Sequence, residues 1–215
     1  ELAQHPELTV LTRTTCFGYY DHNYLGLLEK VTDHLADPPP DLPRQRLWRV
    51  RAKQVVLATG AIERPLVFPD NDRPGIMLAG AARTYLNRFG VLVGREVVVC
   101  TSDDSAYDAA LDLHEAGAKV TVVDQRHTPI GERVVQAQTA GITILRGQGP
   151  VGSQGRFRVA QLHVQALDEA GRPIIGRVQA LACDAVLMCG GWNPTVHLFS
   201  QSRGKLRWDE GLAAF

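Results

Sequence analysis

Between residues 97 and 125 the chain changes period three times. VVVC is a continuous apolar run, TSDDS is polar, AYDAALDLHEAG repeats apolar residues every three or four positions, and KVTVVD is again apolar and β-branched. These periods predict a strand at 97–100, a helix at 104–117 stopped by Gly117, and a strand at 119–123 that ends on Asp124. Elsewhere the pattern is shorter-ranged. LTVLTRTTC (8–16) reads as a strand from its β-branched content, and YLGLLEKV as a strand or a short helix. LWRVRA and QVVLATG predict two more strands. IMLAGAARTYLNRFG (76–90) predicts a helix with a glycine stop, ERVVQAQTAG a short helix, and ITILRG a strand. RFRVAQLHVQAL and IIGRVQALAC predict a hairpin about DEAGRP, and DAVLMCGG a buried strand ending in two glycines. Proline separates these blocks, denying the backbone its ladder bonds in ADPPPDLPRQ (36–45) and ERPLVFPDNDRPG (63–75).

The order of elements predicts an α/β fold: a Rossmann-like parallel sheet with an antiparallel β-meander. That layout is similar to the nicotinamide half of two-dinucleotide-domain flavoproteins of the disulfide-reductase type. Residues 63–189 then form an inserted second Rossmann-like domain. Residues 1–62 and 190–215 are expected to be parts of the first, NAD/FAD-type domain.

Composition narrows the partners. The 215 residues carry 23 Lys plus Arg and 23 Asp plus Glu, so the formal net charge is zero and no stretch is strongly basic. Neither nucleic acid nor an acidic membrane surface is an expected partner. No apolar run approaches the roughly 18 residues that a membrane-spanning helix needs. The chain starts on Glu1 and stops after RWDEGLAAF, which reads as a piece of a longer polypeptide. Cys16, Cys100, Cys183 and Cys189 form no C-x-x-C, so buried reduced thiols, as in a cytoplasmic protein, are expected. No pair of histidines has a helical metal spacing, and no metal is expected.

The turn at 101–106 lacks the glycines of a phosphate loop. Aligned on G-x-G-x-x-G/A, Thr101 stands where a tight turn is needed and Asp103 where backbone should approach the pyrophosphate. Ala106 can still allow close helix packing. Two like charges ~4 Å apart repel by about 1 kcal/mol in water and by more in a drier cleft, so Asp103 opposes a diphosphate. Asp104 and Ser105 read as helix-cap residues that consume the amides a phosphate would use. Asp124, by contrast, stands where an acidic residue takes a ribose 2′-hydroxyl. The expectation is a vestigial nucleotide site at Thr101, Asp103, Ala106 and Asp124.

A second signature lies in QVVLATGAIERPLVFPDNDRPGIM. The small residues Ala58, Thr59 and Gly60 let backbone pass close to a cofactor, and Thr59 can hydrogen-bond to it. The strings RTTCFGYYDHNYLGLLEKV, LATGAIERPLVFPDNDRPGIMLAGAARTYLNRFGV and CTSDDSAYDAALDL together resemble the alpha subunits of heterotetrameric sarcosine oxidases. The resemblance covers nearly the whole chain. It implies a tetramer of alpha, beta, gamma and delta subunits that oxidises sarcosine with O₂ to glycine, hydrogen peroxide and a one-carbon unit given to tetrahydrofolate. It places NAD in the alpha subunit, FAD on the beta subunit, with FMN between the two. Carried onto this sequence, it implies cofactor contacts at Thr15 and Cys16 and under Ala58, Thr59 and Gly60. Cys16 stands where a small apolar residue is usual, which a backbone contact tolerates.

No catalytic acid, base or nucleophile is expected in this chain itself. Asp21 and His22 lie among three tyrosines in YYDHNY, but as neighbours they point apart and are read as a loop or subunit contact. Alternatives are an NADH-dependent flavoprotein reductase, a related opine oxidase or hydrogen cyanide synthase subunit, and a structural domain that binds no cofactor. The reductase needs a usable turn at 101–106.

Overall fold

The computed structural model describes residues 4–215. The chain divides into two compact units, Glu1–Ala61 with Pro194–Phe215, and Ile62–Asn193.

In the first unit three strands, β1 (Thr14–Tyr20), β2 (Tyr24–Lys30) and β3 (Gln45–Arg51), form an antiparallel meander in that order. β1 and β2 are joined by a single turn, Asp21–Asn23, in which His22 takes a left-handed φ of 58°. The predicted strand at 8–16 is therefore displaced, to Thr14–Tyr20, and YLGLLEKV is a strand. QVVLATG differs more: residues 52–60 form no ladder, and Val56 is 89% exposed. Its alternation suits a sheet, but a strand exists only where a neighbour takes its backbone groups.

The chain enters the second unit within β4 (Ala61–Glu63). There follow β5 (Ile76–Leu78), α1 (Ala79–Phe89), β6 (Glu96–Thr101), α2 (Ala106–Glu115), β7 (Lys119–Asp124), α3 (Glu132–Thr139) and β8 (Thr143–Arg146). β9 (Gln148–Gln154), β10 (Gln161–Ala166) and β11 (Gln179–Ala182) form an antiparallel meander. After β12 (Ala185–Cys189) the chain leaves through β13 (Trp192–Pro194) and returns to the first unit, which ends with α4 (His197–Gln201) and the residues after it. The main sheet has the order β5-β12-β6-β7-β8, with all its ladders parallel. Residues 76–78, expected to open the helix, instead add its edge strand. β9 was hidden by its glycines and proline, residue types depleted in strands.

Period-2 geometry distributes the apolar run of β6 between two cores. Val97 and Val99 join Val122 and Leu187 under the helices, with Tyr107, Ala109, Ala110 and Leu113 of α2 and Val134 and Ala137 of α3. Val98 and Cys100 join Val123, Val186 and Met188 against Val159, Leu162 and Val164 on the meander side. A sheet covered on both faces explains why these strands read as continuous apolar runs. Alanines on α2 bring its axis close to the sheet. Across the helix layer Arg83 of α1 pairs with Asp112 (2.7 Å) and Asp108 (3.2 Å) of α2, and Arg133 of α3 pairs with Asp108 (2.8 Å). α1 ends at Gly90 (φ 65°), where the N–H groups of Gly90 and Val91 satisfy the carbonyls of Leu86 and Tyr85.

Leu113 is fully buried between α2 and the sheet. Leu113→Ala is expected to destabilise the second unit by about 2–5 kcal/mol, read as a lower urea midpoint without a change in slope.

Candidate functional site

The C-terminal ends of β6, β7 and β12 are where an open parallel sheet of this kind holds a dinucleotide. The β6–β7 register sets Thr101 opposite Asp124, so the turn after β6 lies beside the acidic strand end.

The turn is closed by its own side chains. Thr101 Oγ1 donates to the Asp103 carbonyl (2.7 Å) and accepts from the Asp103 N–H (2.9 Å). Asp103 Oδ1 accepts from the Ser105 N–H (2.8 Å), and the Ser102 N–H is given to the Cys189 carbonyl (3.2 Å). Three of the amides that could cradle a phosphate are thus engaged within the protein. Trp192 Nε1 donates to Ser105 Oγ (2.8 Å), and Ser105 Oγ lies 3.6 Å from Cys189 Sγ.

Asp124 is fully buried. Its Oδ1 accepts from the backbone N–H of Arg126 (2.9 Å) and from Arg126 Nε (3.0 Å). Its Oδ2 accepts from Arg126 Nη2 (2.8 Å) and from the hydroxyl of Tyr107 (2.8 Å). Four donors occupy the roughly four lone-pair positions of a carboxylate, leaving none for a ribose hydroxyl. The remaining guanidinium nitrogen, Arg126 Nη1, pairs with Asp104 Oδ1 at 2.8 Å. Burial first, and then the hydrogen bond to Asp124, push the Tyr107 phenol well above its ordinary range. The hydrogen bond to Asp124 holds the Arg126 guanidinium still more firmly protonated. Ala106 is buried against the sheet, as the third glycine of the motif would be.

Arg126 and Tyr107 were missed from the sequence. The only trace is the arginine two places after Asp124 in VVDQR, which carries no such meaning until the chain turns back on itself there.

In the first unit Thr15 and Cys16 are neighbours on β1, paired with Leu28 and Leu27 of β2. Thr15 is exposed, while Cys16 is half-buried and directs its thiol to the Gly18 carbonyl at 3.6 Å. β1 is an edge strand, so alternate backbone groups along it face away from the ladder. Ala58, Thr59 and Gly60 are exposed and lie outside any strand. Thr59 Oγ1 donates to the Thr195 carbonyl (2.7 Å), and the Gly60 carbonyl accepts from the Thr195 N–H (2.9 Å). Gly60 has φ +66°, and a Cβ built there would meet nothing within 4 Å, which leaves open space over its backbone. The small residues at 58–60 therefore fit close approach by a planar or sugar group, whereas the turn at 101–106 does not fit a diphosphate.

The fold is an α/β fold of the disulfide-reductase kind. The family described as pyridine nucleotide-disulphide oxidoreductase matches residues 45–146. Thioredoxin reductase from Lactococcus lactis superposes on 92% of this chain and 58% of its own, with a TM-score of 0.59 and 18% identity. More particularly, the chain matches the alpha subunits of sarcosine oxidases over its whole length. It is 45% identical to the alpha subunit from Corynebacterium sp. (strain U-96) across 100% of this chain, and spans 22% of that relative's length. An opine oxidase subunit from Agrobacterium tumefaciens (strain Ach5) is 28% identical across 77% of this chain and 35% of its own length.

The site geometry generates two expectations. Asp124→Asn keeps shape but removes the buried charge facing Arg126, and is expected to cost about 2–4 kcal/mol of stability in a urea titration, the partial exposure of Arg126 softening the loss. Cys100, Cys183 and Cys189 are buried, and desolvation raises the last two thiols to about 11. At pH 8 about one in a thousand of such thiols is ionised, so iodoacetamide followed by peptide mapping is expected to label Cys16 and spare these three until the protein is unfolded.

Proposed function

We propose that the chain is the dinucleotide-contacting segment of the alpha subunit of a sarcosine oxidase, with NAD lying against Ala58, Thr59 and Gly60 and against the edge of β1 at Thr15 and Cys16. In this reading residues 1–62 and 190–215 belong to the first dinucleotide domain, and the second, 63–189, keeps a vestigial nucleotide turn. The observation that carries it is the end-to-end match at 45% identity to a sarcosine oxidase alpha subunit, against 28% over part of the chain for opine oxidase.

Bound NAD supplies a two-electron hydride couple. The chain's own contribution is positional. Thr59 is held by Thr195, which fixes the carbonyl and hydroxyl directions of the segment, and Gly60 keeps side-chain bulk away from it. The whole enzyme would oxidise sarcosine with O₂ to glycine and hydrogen peroxide and pass the one-carbon unit to tetrahydrofolate. Beta, gamma and delta subunits would be its partners, with FAD and FMN held outside this segment. Three buried free thiols suit the reducing conditions of the cytoplasm.

An NADH-dependent reductase working through the second unit is disfavoured by the saturated carboxylate of Asp124 and the engaged amides of the turn.

Denaturing the purified intact enzyme and quantifying the released nucleotides tests the reading. One NAD per alpha chain, released alongside the flavins, is the expected result. A full flavin complement with no NAD would remove the dinucleotide from the proposal, leaving the segment a structural one.

A further inference from the structure

In a dinucleotide-binding βαβ unit the ligand spans two points, with its pyrophosphate over the first turn and its ribose on the acidic end of the second strand. In the second unit a side chain already spans the same two points. Arg126 grips Asp124 side-on through Nε (3.0 Å) and Nη2 (2.8 Å), and reaches Asp104 of the turn through Nη1 (2.8 Å).

We infer that Arg126 is the resident occupant of the second nucleotide cleft, an internal latch that ties the turn after β6 to the end of β7 and bars a nucleoside diphosphate. This inference stands whether or not Ala58–Gly60 line a dinucleotide site.

Three observations separate a latch from an incidental surface pair. Asp124 is fully buried, and among the described residues Arg126 is the cation paired with it, so Arg126 is its counter-ion. Tyr107, from the first turn of α2, closes on the same carboxylate (2.8 Å) and roofs it from the helix side. The third concerns Gly131, just before α3: a Cβ there would stand 2.6 Å from Asp104 Oδ2, so that glycine leaves room for the carboxylate that Arg126 holds. Sequence-distant positions thus agree on one arrangement of the turn.

The chemistry follows from charge. A nucleoside diphosphate entering this cleft meets Asp103 and Asp104 where its phosphates should lie. Its ribose finds Asp124 with every lone pair taken. To bind, it would have to detach Arg126 and leave a fully buried carboxylate without its counter-ion, which is among the costlier changes a protein can make. The latch also compensates Asp104 and Asp124, the two carboxylates that Arg126 touches at once.

Hydrogen exchange read by mass spectrometry on peptides covering 101–126, in the intact protein, tests this directly. Asp104→Asn alone is expected to speed exchange of the turn and the first turn of α2, by roughly threefold or more. In an Arg126→Ala background the same substitution is expected to slow exchange, because it then removes an uncompensated charge. An equal effect of Asp104→Asn, in the same direction, in both backgrounds would overturn the latch. If Arg126→Ala does not fold, Arg126→Lys, which can hold only one carboxylate, should shrink the Asp104→Asn effect towards zero, and an undiminished effect counts against the inference. ADP-ribose at millimolar concentration is expected to leave exchange of 101–126 unchanged in the unsubstituted protein. Protection of that segment by ADP-ribose would also overturn it.

Discussion

Burial of β6, β7 and β12 on both faces is the constraint from which the second unit's architecture follows. Once both faces must be apolar, helices are needed on one side and the meander on the other, and the three strands must carry their chemistry at their ends. Val97 and Val99 serve one core and Val98 and Cys100 the other, so no polar group interrupts the strand between the exposed Glu96 and Thr101. At the C-terminal ends of these strands, the turn after β6 and the last residue of β7 are consequently the first positions free to be polar. They fall side by side because the parallel register pairs Thr101 with Asp124.

What occupies that strand-end position differs from what its outline suggests. A buried carboxylate requires donors, and in an active dinucleotide site the ligand provides some of them. Here the protein provides all of them, from Arg126 and Tyr107, and the turn's own amides are consumed by Thr101 and Asp103. The strand-end arrangement follows from the sheet, while the polar groups of the turn are directed at one another. This separation of fold from ligand chemistry is the general expectation for a widely reused scaffold.

In the first unit the distribution of polar groups is the opposite. The segment at 52–60 forms no ladder and leaves its small residues 58–60 exposed, with hydrogen bonds to Asn23 at its start and to Thr195 at its end. Open backbone beside small residues suits contact with something outside this chain. The chain covers 22% of the length of its sarcosine oxidase relative.

Local period and composition were enough to read α2, α3, β6, β7, β8 and β12, because each satisfies its pattern within a few residues. The same patterns singled out Asp103 as hostile to phosphate and Asp124 as a strand-end carboxylate. They did not reveal β9, whose glycines and proline conceal a ladder made with β10, nor the unpaired state of QVVLATG, since a strand depends on a neighbour distant in sequence. Nor could they assign Arg126. The reach of a guanidinium from residue 126 to Asp104 exists only after β6 and β7 pair in register and Gly131 clears space for the carboxylate. Sequence by itself determined which residues were polar at the strand ends; the tertiary structure decided with which groups they pair, because hydrogen-bond partners are chosen by distance in space.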